Sequence, residues 1–207
     1  MKPVCLVLGA GAGIGGTVAR RFAREGYHAV LCRRSDAAGL ATLVDAIKSD
    51  GGSATGFLLN AIEEGSIEGR VAAYNLGAQI GDRALKDTSA KAFETGWRMG
   101  TFGLFRLASA VCPLMQARGK GTILVTSSTA AMRGNGGQHS HAAAMGGRRM
   151  LCQSLNAEFA SKGIHVVHIV IDGAVDAPDT LGKMLGREKC EQLREARGKE
   201  HEELRLP

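Results

Sequence analysis

Residues 3–15 read PVCLVLGAGAGIG, and this stretch decides the fold. Its first six residues form a short, continuous apolar run, which predicts a strand buried on both faces of a parallel sheet. Apolar positions at helical spacing follow the glycines, and Gly26 suits the end of that helix. A glycine-rich turn between such a strand and such a helix favours an anion, because the free amides of the helix N-terminus attract it and the missing side chains let it approach.

The expected anion is the pyrophosphate of a dinucleotide, which strand–turn–helix units of this kind bind at the first turn. The simpler alternative is a glycine-rich turn without a ligand, and the buried strand and helix on either side argue against it. The residues expected to contact the dinucleotide in this loop are Gly9, Gly11, Gly13, Ile14 and Gly15.

Beyond this stretch, strand and helix patterns alternate along the chain. Apolar runs predict strands at residues 28–32, 54–59, 70–74, 121–127 and 164–171. Helical spacing predicts helices at residues 14–25, 37–48 and 141–162, and a long helix or a helix pair at residues 90–115. This order is typical of an α/β fold with a doubly wound, mostly parallel sheet, a three-layer sandwich of the Rossmann type. We expect one such domain over residues 1–179. A charged helical segment follows at residues 180–207. An alternative interpretation of this segment is a truncated substrate lid.

The composition is that of one globular domain, and it narrows the classes of function. The 207 residues are 44% hydrophobic and 22% charged, which is enough for one well-buried core. Although the net charge is +6, basic and acidic residues are interleaved, so we expect no nucleic-acid partner. The five cysteines lie far apart, which predicts neither a metal site nor disulfides. With no signal-peptide pattern and no apolar run of membrane-spanning length, we expect a cytoplasmic protein without a membrane partner.

Two arginines at the end of the second predicted strand indicate which dinucleotide binds. Domains of this type that prefer NAD usually carry an acidic residue there, which binds the ribose hydroxyls. Arg33 and Arg34 instead suit a 2′-phosphate, because guanidinium groups form paired, charge-assisted hydrogen bonds with phosphate. The sequence therefore predicts NADP as the cofactor, with NAD as the alternative if these are only surface arginines.

Together these motifs resemble those of the short-chain dehydrogenase/reductase family, over residues 3–179. The cofactor loop of that family matches residues 8–15, with a leucine in place of its threonine. Residues 74–77, YNLG, look like its NNAG turn, and residues 126–130, TSSTA, look like its serine motif.

This resemblance implies further site residues and an activity. Asn75 and Gly77 would line the cofactor site, Asn60 would contact the adenine, and Ser128 would orient the substrate oxygen. Members of the family transfer a hydride between nicotinamide and a carbonyl or alcohol, so the cofactor carries the redox chemistry and the protein supplies positioning and a proton.

The chain departs from the family at the catalytic residues. The resemblance places the tyrosine and lysine of the YxxxK motif on residues 141–145, which read HAAAM, and Gly100 stands where the family has an asparagine. His141 has a ring suited to proton transfer near neutral pH, so a catalytic pair of Ser128 and His141 is one interpretation. The other is that His141 only fills the space of the lost tyrosine.

Residues around this position carry expectations of their own. His139 and Ser140 are expected in a loop, because glycines precede them closely. Arg148 and Arg149 are cations on the predicted helix, but they lie one turn beyond the lysine position and are not expected to replace that lysine.

The sequence thus favours an NADP(H)-dependent oxidoreductase of the short-chain type, acting on an unidentified small-molecule carbonyl or alcohol. The alternative is a non-catalytic NAD(P)-binding protein, either a redox sensor or a partner subunit, and a scaffold that binds no nucleotide is a third reading. The resemblance also implies a homodimer or homotetramer formed through the long helices. Apolar residues there would supply the interface unless they belong to the core: Phe93, Phe102, Leu104, Phe105 and Leu107.

Overall fold

A computed structural model of the chain describes residues 2–58, 71–77 and 84–172, together with the single positions 188, 191, 192 and 195. The described strands are β1 (Val4–Leu8), β2 (His28–Arg33), β3 (Ser53–Leu58), β4 (Val71–Tyr74), β5 (Gly121–Ser128) and β6 (Ile164–Ile171). All pair in parallel, in the order β3-β2-β1-β4-β5-β6. This is the order of a doubly wound sheet, which confirms the predicted fold class.

Within the described ranges, five α-helices lie between these strands. They are α1 (Ile14–Arg24), α2 (Ala37–Ser49), α3 (Ala90–Trp97), α4 (Gly103–Ala117) and α5 (His139–Phe159). A π-helical segment, Arg98–Phe102, joins α3 to α4, and short 3₁₀ turns lie at Leu85–Asp87, Thr129–Ala131 and Ala160–Lys162.

The alternation of side chains along β1 explains the three layers. Leu6 and Leu8 pack with α4 and α5 in one buried cluster on one face of the sheet. Cys5 and Val7 pack with α1 and α2 in a second cluster on the other face. Because β1 is buried on both sides, it reads as a continuous apolar run rather than as an alternating strand.

The register of the central strands brings the site-bearing loops to one edge. Leu8 is level with Cys32 of β2 and with Tyr74 of β4, and Tyr74 is level with Val125 of β5. The residues that follow these strands therefore leave the sheet side by side. The chain turns from β1 toward β2 on one side and continues from β3 to β4 on the other, so the switch point of the topology lies beside β1.

Most predicted elements coincide with those of the structure to within one or two residues, and one expectation was wrong. Residues 90–117 form the helix pair rather than the single long helix, because the π-helical segment separates α3 from α4. His139 and Ser140 lie in the first turn of α5 rather than in a loop, since the amide of Ala142 already donates to the carbonyl of Gln138 at 2.7 Å. Gln138 makes no side-chain cap, so the sequence carries no capping residue that marks this start.

The apolar residues expected at an interface divide into two groups. Leu104 and Leu107 are fully buried core residues of α4, so the core alternative holds for these two. Phe93 and Phe105 are exposed, and Phe105 stacks on Phe102 with ring centroids 6.1 Å apart.

Parts of two expectations lie outside the described residues. These are Asn60 and nearly all of the charged segment 180–207. Among the helices that the structure describes, none is long and apolar enough to cross a membrane.

Candidate nucleotide and active site

The glycine loop is anchored to the carboxyl end of β2. The amides of Gly9 and Ala10 both donate to the carbonyl of Cys32, at 3.0 and 3.1 Å. Gly9 has φ +85°, a left-handed conformation that favours glycine. A side chain on Gly15 would collide with the backbone at Gly9, so both glycines are required by the packing of the loop itself.

Other glycines border open space, and their positions fit a pyrophosphate. A Cβ added to Gly11 or to Gly77 would meet no atom of the described chain within 4 Å. Helix α1 begins at Ile14 without a side-chain cap on Gly13, and the amides of Gly16 and Thr17 donate to the carbonyls of Gly11 and Gly13. The amides of Ile14 and Gly15 precede these bonds, and a helix N-terminus beside a space that a side chain would narrow suits the phosphates of a dinucleotide.

Asn75 ties the ends of three strands together beneath this loop. Its amide N–H donates to the carbonyl of Leu8 at 2.9 Å, and its side-chain Nδ2 donates to the carbonyl of Gly9 at 3.2 Å. The Thr126 hydroxyl donates to Oδ1 of Asn75 at 2.6 Å. With both side-chain ends engaged, Asn75 fixes the turn after β4 against the glycine loop and β5.

The two arginines after β2 have different surroundings. The Arg33 guanidinium forms an ion pair with Asp36 at 3.0 Å, and its side chain is only 17% exposed. Asp36 also caps α2, because its carboxylate accepts the amide of Gly39 at 2.9 Å. Arg34 is exposed. The positive charge of Arg33 is thus partly balanced within the protein, and Arg34 offers the more accessible guanidinium.

Ser128 and His141 meet at the same edge of the sheet. Ser128 is the last residue of β5, His141 lies in the first turn of α5, and Ser128 Oγ is 3.0 Å from His141 Nε2. Both side chains are partly buried. One turn further along α5, the buried Met145 directs its sulfur toward the Ser127 hydroxyl at 3.5 Å. The pair that the sequence predicted is therefore formed, in surroundings that are apolar on the side of Met145.

Two residues contribute to this region in ways that the sequence analysis missed. Arg148 is buried, and it bonds three backbone carbonyls that come from three different segments. Tyr74, buried beside it, donates its hydroxyl to the carbonyl of Met99 in the π-helical segment. Burial raises the pKa of Tyr74 to about 12, although the nearby Arg148 opposes this shift. One feature of the sequence could have indicated the contact of Tyr74, because a tyrosine at the end of a buried strand needs a partner for its hydroxyl.

No group of three or more metal-ligating side chains occurs among the residues that the structure describes. The site instead combines a glycine-rich turn that borders open space, a pair of hydrogen-bonded polar side chains and buried polar supports. A doubly wound parallel sheet with such a turn at its switch point defines a dinucleotide-binding protein.

The family follows from comparison with known proteins. The model of the short chain dehydrogenase family matches residues 3–183, which is most of the sequence. The chain belongs to the short chain dehydrogenase family.

Three similar proteins illustrate the relationship. The short-chain reductase protein NovJ of Streptomyces niveus is 32% identical to the chain, over 94% of this chain and 78% of NovJ. A crystal structure of a short-chain dehydrogenase from Rhodopseudomonas palustris is 30% identical, with a TM-score of 0.71 over 83% of this chain and 85% of that one. A short-chain dehydrogenase from Sphingobium yanoikuyae, solved in complex with NADPH, is 26% identical, with a TM-score of 0.77 over 87% and 75%.

Proposed function

We propose that this protein is an NADP(H)-dependent oxidoreductase that acts on a small-molecule carbonyl or alcohol, with Ser128 and His141 as its proton-transfer pair. The observation that carries the proposal is the 3.0 Å contact between Ser128 Oγ and His141 Nε2, at the edge of the sheet where the glycine loop borders open space. Family membership supports the redox chemistry, and the contact supports a proton path despite the missing tyrosine and lysine.

In this proposal the two side chains handle the proton. A bound nicotinamide supplies or accepts the hydride. During reduction, Ser128 donates its hydroxyl hydrogen to the substrate oxygen and receives a proton from Nε2 of His141. Oxidation of an alcohol runs the same path backward. Hydrogen-bond distance between the two groups is the geometric requirement for this relay.

The choice of NADP rests on Arg33 and Arg34. Arg34 would bind the 2′-phosphate directly, and Arg33, held by Asp36, would add a second donor. The Sphingobium relative was solved with NADPH, which supports the same choice. Asn75 and Gly77 would border the nicotinamide side, and Asn60 would contact the adenine.

The proposed location is the cytoplasm. What supports it is that the four described cysteines are free thiols, as in reducing compartments.

The first test is a titration of the purified protein with NADPH and with NADH, followed by nucleotide fluorescence. We expect tighter binding of NADPH, and a loss of about tenfold or more in its affinity on Arg34→Ala, since a charge-assisted contact contributes about 1.5 to 3 kcal/mol. Arg21→Ala is the matched control, because Arg21 is an exposed arginine paired with Glu25 on α1. Failure to bind either nucleotide contradicts the proposal.

The proton path is tested by turnover of NADPH with a panel of aldehydes, ketones and quinones. His141→Ala should lower kcat by about 10²-fold or more, as removal of a general acid does. His139→Ala is the control, since it changes a histidine in the same helical turn. Full activity of His141→Ala removes His141 from the mechanism.

A second function, binding of NAD(P) without catalysis, is favoured by the buried Met145. Its apolar side chain lies one turn from His141 and cannot lower the pKa of a neighbouring acid as a charged group would. Tight NADPH binding without turnover of any panel substrate would support this sensor or partner-subunit role.

A further inference from the structure

Arg148 stands out because its charge is buried. Its side chain is 2% exposed, and it is the only charged residue in the buried set of the described chain. Position 148 lies on α5, two helical turns beyond His141. Burial lowers its pKa from the ordinary arginine value, although Tyr74 and Cys152 oppose that shift.

The guanidinium is held by backbone carbonyls. Nε donates to the carbonyl of Gly100 at 2.8 Å, Nη1 to that of Thr126 at 2.7 Å, and Nη2 to that of Leu76 at 2.8 Å. The guanidinium carbon also lies 5.1 Å from the ring centroid of Tyr74. Each nitrogen therefore makes one strong hydrogen bond, and within the described residues no ion pair with a carboxylate is recorded for it.

The three carbonyls belong to segments that form the site. Leu76 lies between Asn75 and Gly77, in the turn that is fixed against the glycine loop. Thr126 holds Asn75 through its hydroxyl and stands two residues before Ser128 on β5. Arg148 itself belongs to the helix that carries His141. One side chain thus joins the turn after β4, the end of β5 and α5.

The third contact connects the site to the π-helical segment. A π-helix shifts the backbone pairing by one residue and leaves carbonyls in need of other donors. Gly100 uses Arg148 for this purpose, and the neighbouring Met99 uses the Tyr74 hydroxyl. The π-helical segment is therefore connected to the site through these two buried side chains.

An apolar side chain of similar length would fill this space without the cost of removing a charge from water. What an apolar side chain cannot do is fix three backbone segments at set distances. A planar guanidinium presents donors in a rigid fork, whereas a lysine ammonium is a single point at the end of a flexible stem. The geometry of the contacts, more than the charge, accounts for an arginine here.

We propose that Arg148 is a positioning residue of the nucleotide site, which holds the 75–77 turn and the Ser128–His141 pair at a fixed separation. The role in catalysis rests on the function proposed above. The positioning of the segments does not, because it follows from hydrogen bonds within the protein alone.

The test compares Arg148→Lys and Arg148→Met with the matched variants Arg149→Lys and Arg149→Met. Amide hydrogen exchange of the protein without nucleotide, read by mass spectrometry, reports the mobility of each segment. We expect exchange at residues 75–77 and 126–131 to rise at least tenfold in both Arg148 variants, while β2 and β3 keep the protection of the wild type. The Arg149 variants should match the wild type throughout.

A second readout is the NADPH titration of the same proteins, where we expect Kd to rise at least fivefold for both Arg148 variants. For any substrate found in the panel, kcat should fall more than KM rises, because the reacting groups are misplaced while the substrate pocket remains. Wild-type behaviour of Arg148→Lys in both readouts would mean that charge rather than geometry matters, and it would overturn the proposal.

Two further outcomes also overturn it. A uniform rise in exchange across the sheet, or loss of folded protein in both variants, would assign Arg148 a general structural role. If the wild type binds no NADPH, the proposed function fails, and the exchange measurement still decides the positioning role by itself.

Discussion

The glycines of the cofactor loop differ in what surrounds them, although their positions in the motif look alike. Gly9 and Gly15 lie where a Cβ would meet backbone of the loop or of the turn after β4, whereas Gly11 borders open space. The sequence alone presents these glycines as equivalent members of one motif. The structure separates Gly9 and Gly15, which the fold needs, from Gly11, where a side chain would meet only open space.

A pair of alanine substitutions tests this division. Gly15→Ala should lower the free energy of unfolding by about 1 to 3 kcal/mol, because the new methyl group forces the loop apart. Gly11→Ala should leave the unfolding free energy nearly unchanged and weaken NADPH binding at least tenfold, because the methyl group occupies ligand space. Urea unfolding and NADPH titration of both variants are the measurements. Equal stability losses in the two variants would contradict the division.

His168 on β6 makes the stability of the protein depend on pH. Burial, together with the charges of Arg149 and Arg148, lowers the pKa of His168 below its ordinary value of 6.5. The folded protein therefore binds a proton there less readily than the unfolded chain does. Its contribution to stability is complete above the unfolded pKa and is lost as the pH falls through that value toward the folded pKa.

We expect the free energy of unfolding to decrease as the pH falls from about 7.5 to about 5.5. His168→Gln should make this decrease smaller. Chemical unfolding at both pH values measures it. His165→Gln is the control, because His165 is exposed on the same strand. A wild-type pH dependence in His168→Gln would assign the effect to other groups.

At the scale of elements, the strands and the π-helical segment mark what a sequence pattern can and cannot predict. Buried parallel strands are continuous apolar runs closed by glycines, so their positions follow from local sequence. Two carbonyls of the π-helical segment accept hydrogen bonds from donors 25 and 48 positions away, Tyr74 and Arg148, and the helical spacing of residues 90–115 does not indicate this segment. The same distance in sequence explains why the sequence analysis saw in Arg148 only a cation one turn beyond the lysine position.

The candidate site divides in the same way. The glycine loop follows from its place between a buried strand and a helix, whereas Ser128 and His141 follow from the family resemblance, which places both residues and so made their approach predictable. The ion pair of Arg33 with Asp36 was not predictable, and it occurs together with a left-handed conformation of Asp36, with φ 68°, at the start of α2. Positive φ at a residue other than glycine has no reliable signature in a sequence.

Removal of the Tyr74 hydroxyl tests the support of the π-helical segment. Tyr74→Phe leaves the Met99 carbonyl without its donor, so we expect a loss of about 1 to 3 kcal/mol in the free energy of unfolding. Tyr27→Phe is the control, since the Tyr27 ring packs edge-on against Phe22 and should keep that contact. Urea unfolding of both variants measures the difference, and equal stabilities would show that the hydroxyl contributes nothing.

For the whole molecule, an exposed aromatic row on α3, the π-helical segment and α4 bears on assembly. Trp97, Phe102 and Phe105 stack in sequence at 5.8 and 6.1 Å, and Trp97 and Phe105 are 41% and 51% exposed. Exposed apolar surface of this kind favours association with another protein surface. We therefore expect a homodimer or homotetramer that buries this row.

Phe105→Glu should shift the protein toward the monomer, because burial of an unpaired carboxylate at an interface is costly. Sedimentation velocity of both proteins over a range of concentrations measures the shift. Leu85→Glu is the control, since Leu85 is 71% exposed on a separate 3₁₀ turn. A monomeric wild type would contradict the expected assembly.

The strand order also determines when the contacts of the sheet can form during synthesis. β1 is translated first, yet it occupies the middle of the sheet, and its neighbour β4 appears only after β2 and β3. The early half, from β1 to β3 with α1 and α2, already contains most of one hydrophobic cluster and can begin to form on the nascent chain. Among the described residues, the helices that cover its other face, with Leu6 and Leu8, are α4 and α5, which are made later. Until α4 and α5 are made, this face of the half-finished sheet lacks their cover, and chaperones shield exposed apolar surface of this kind.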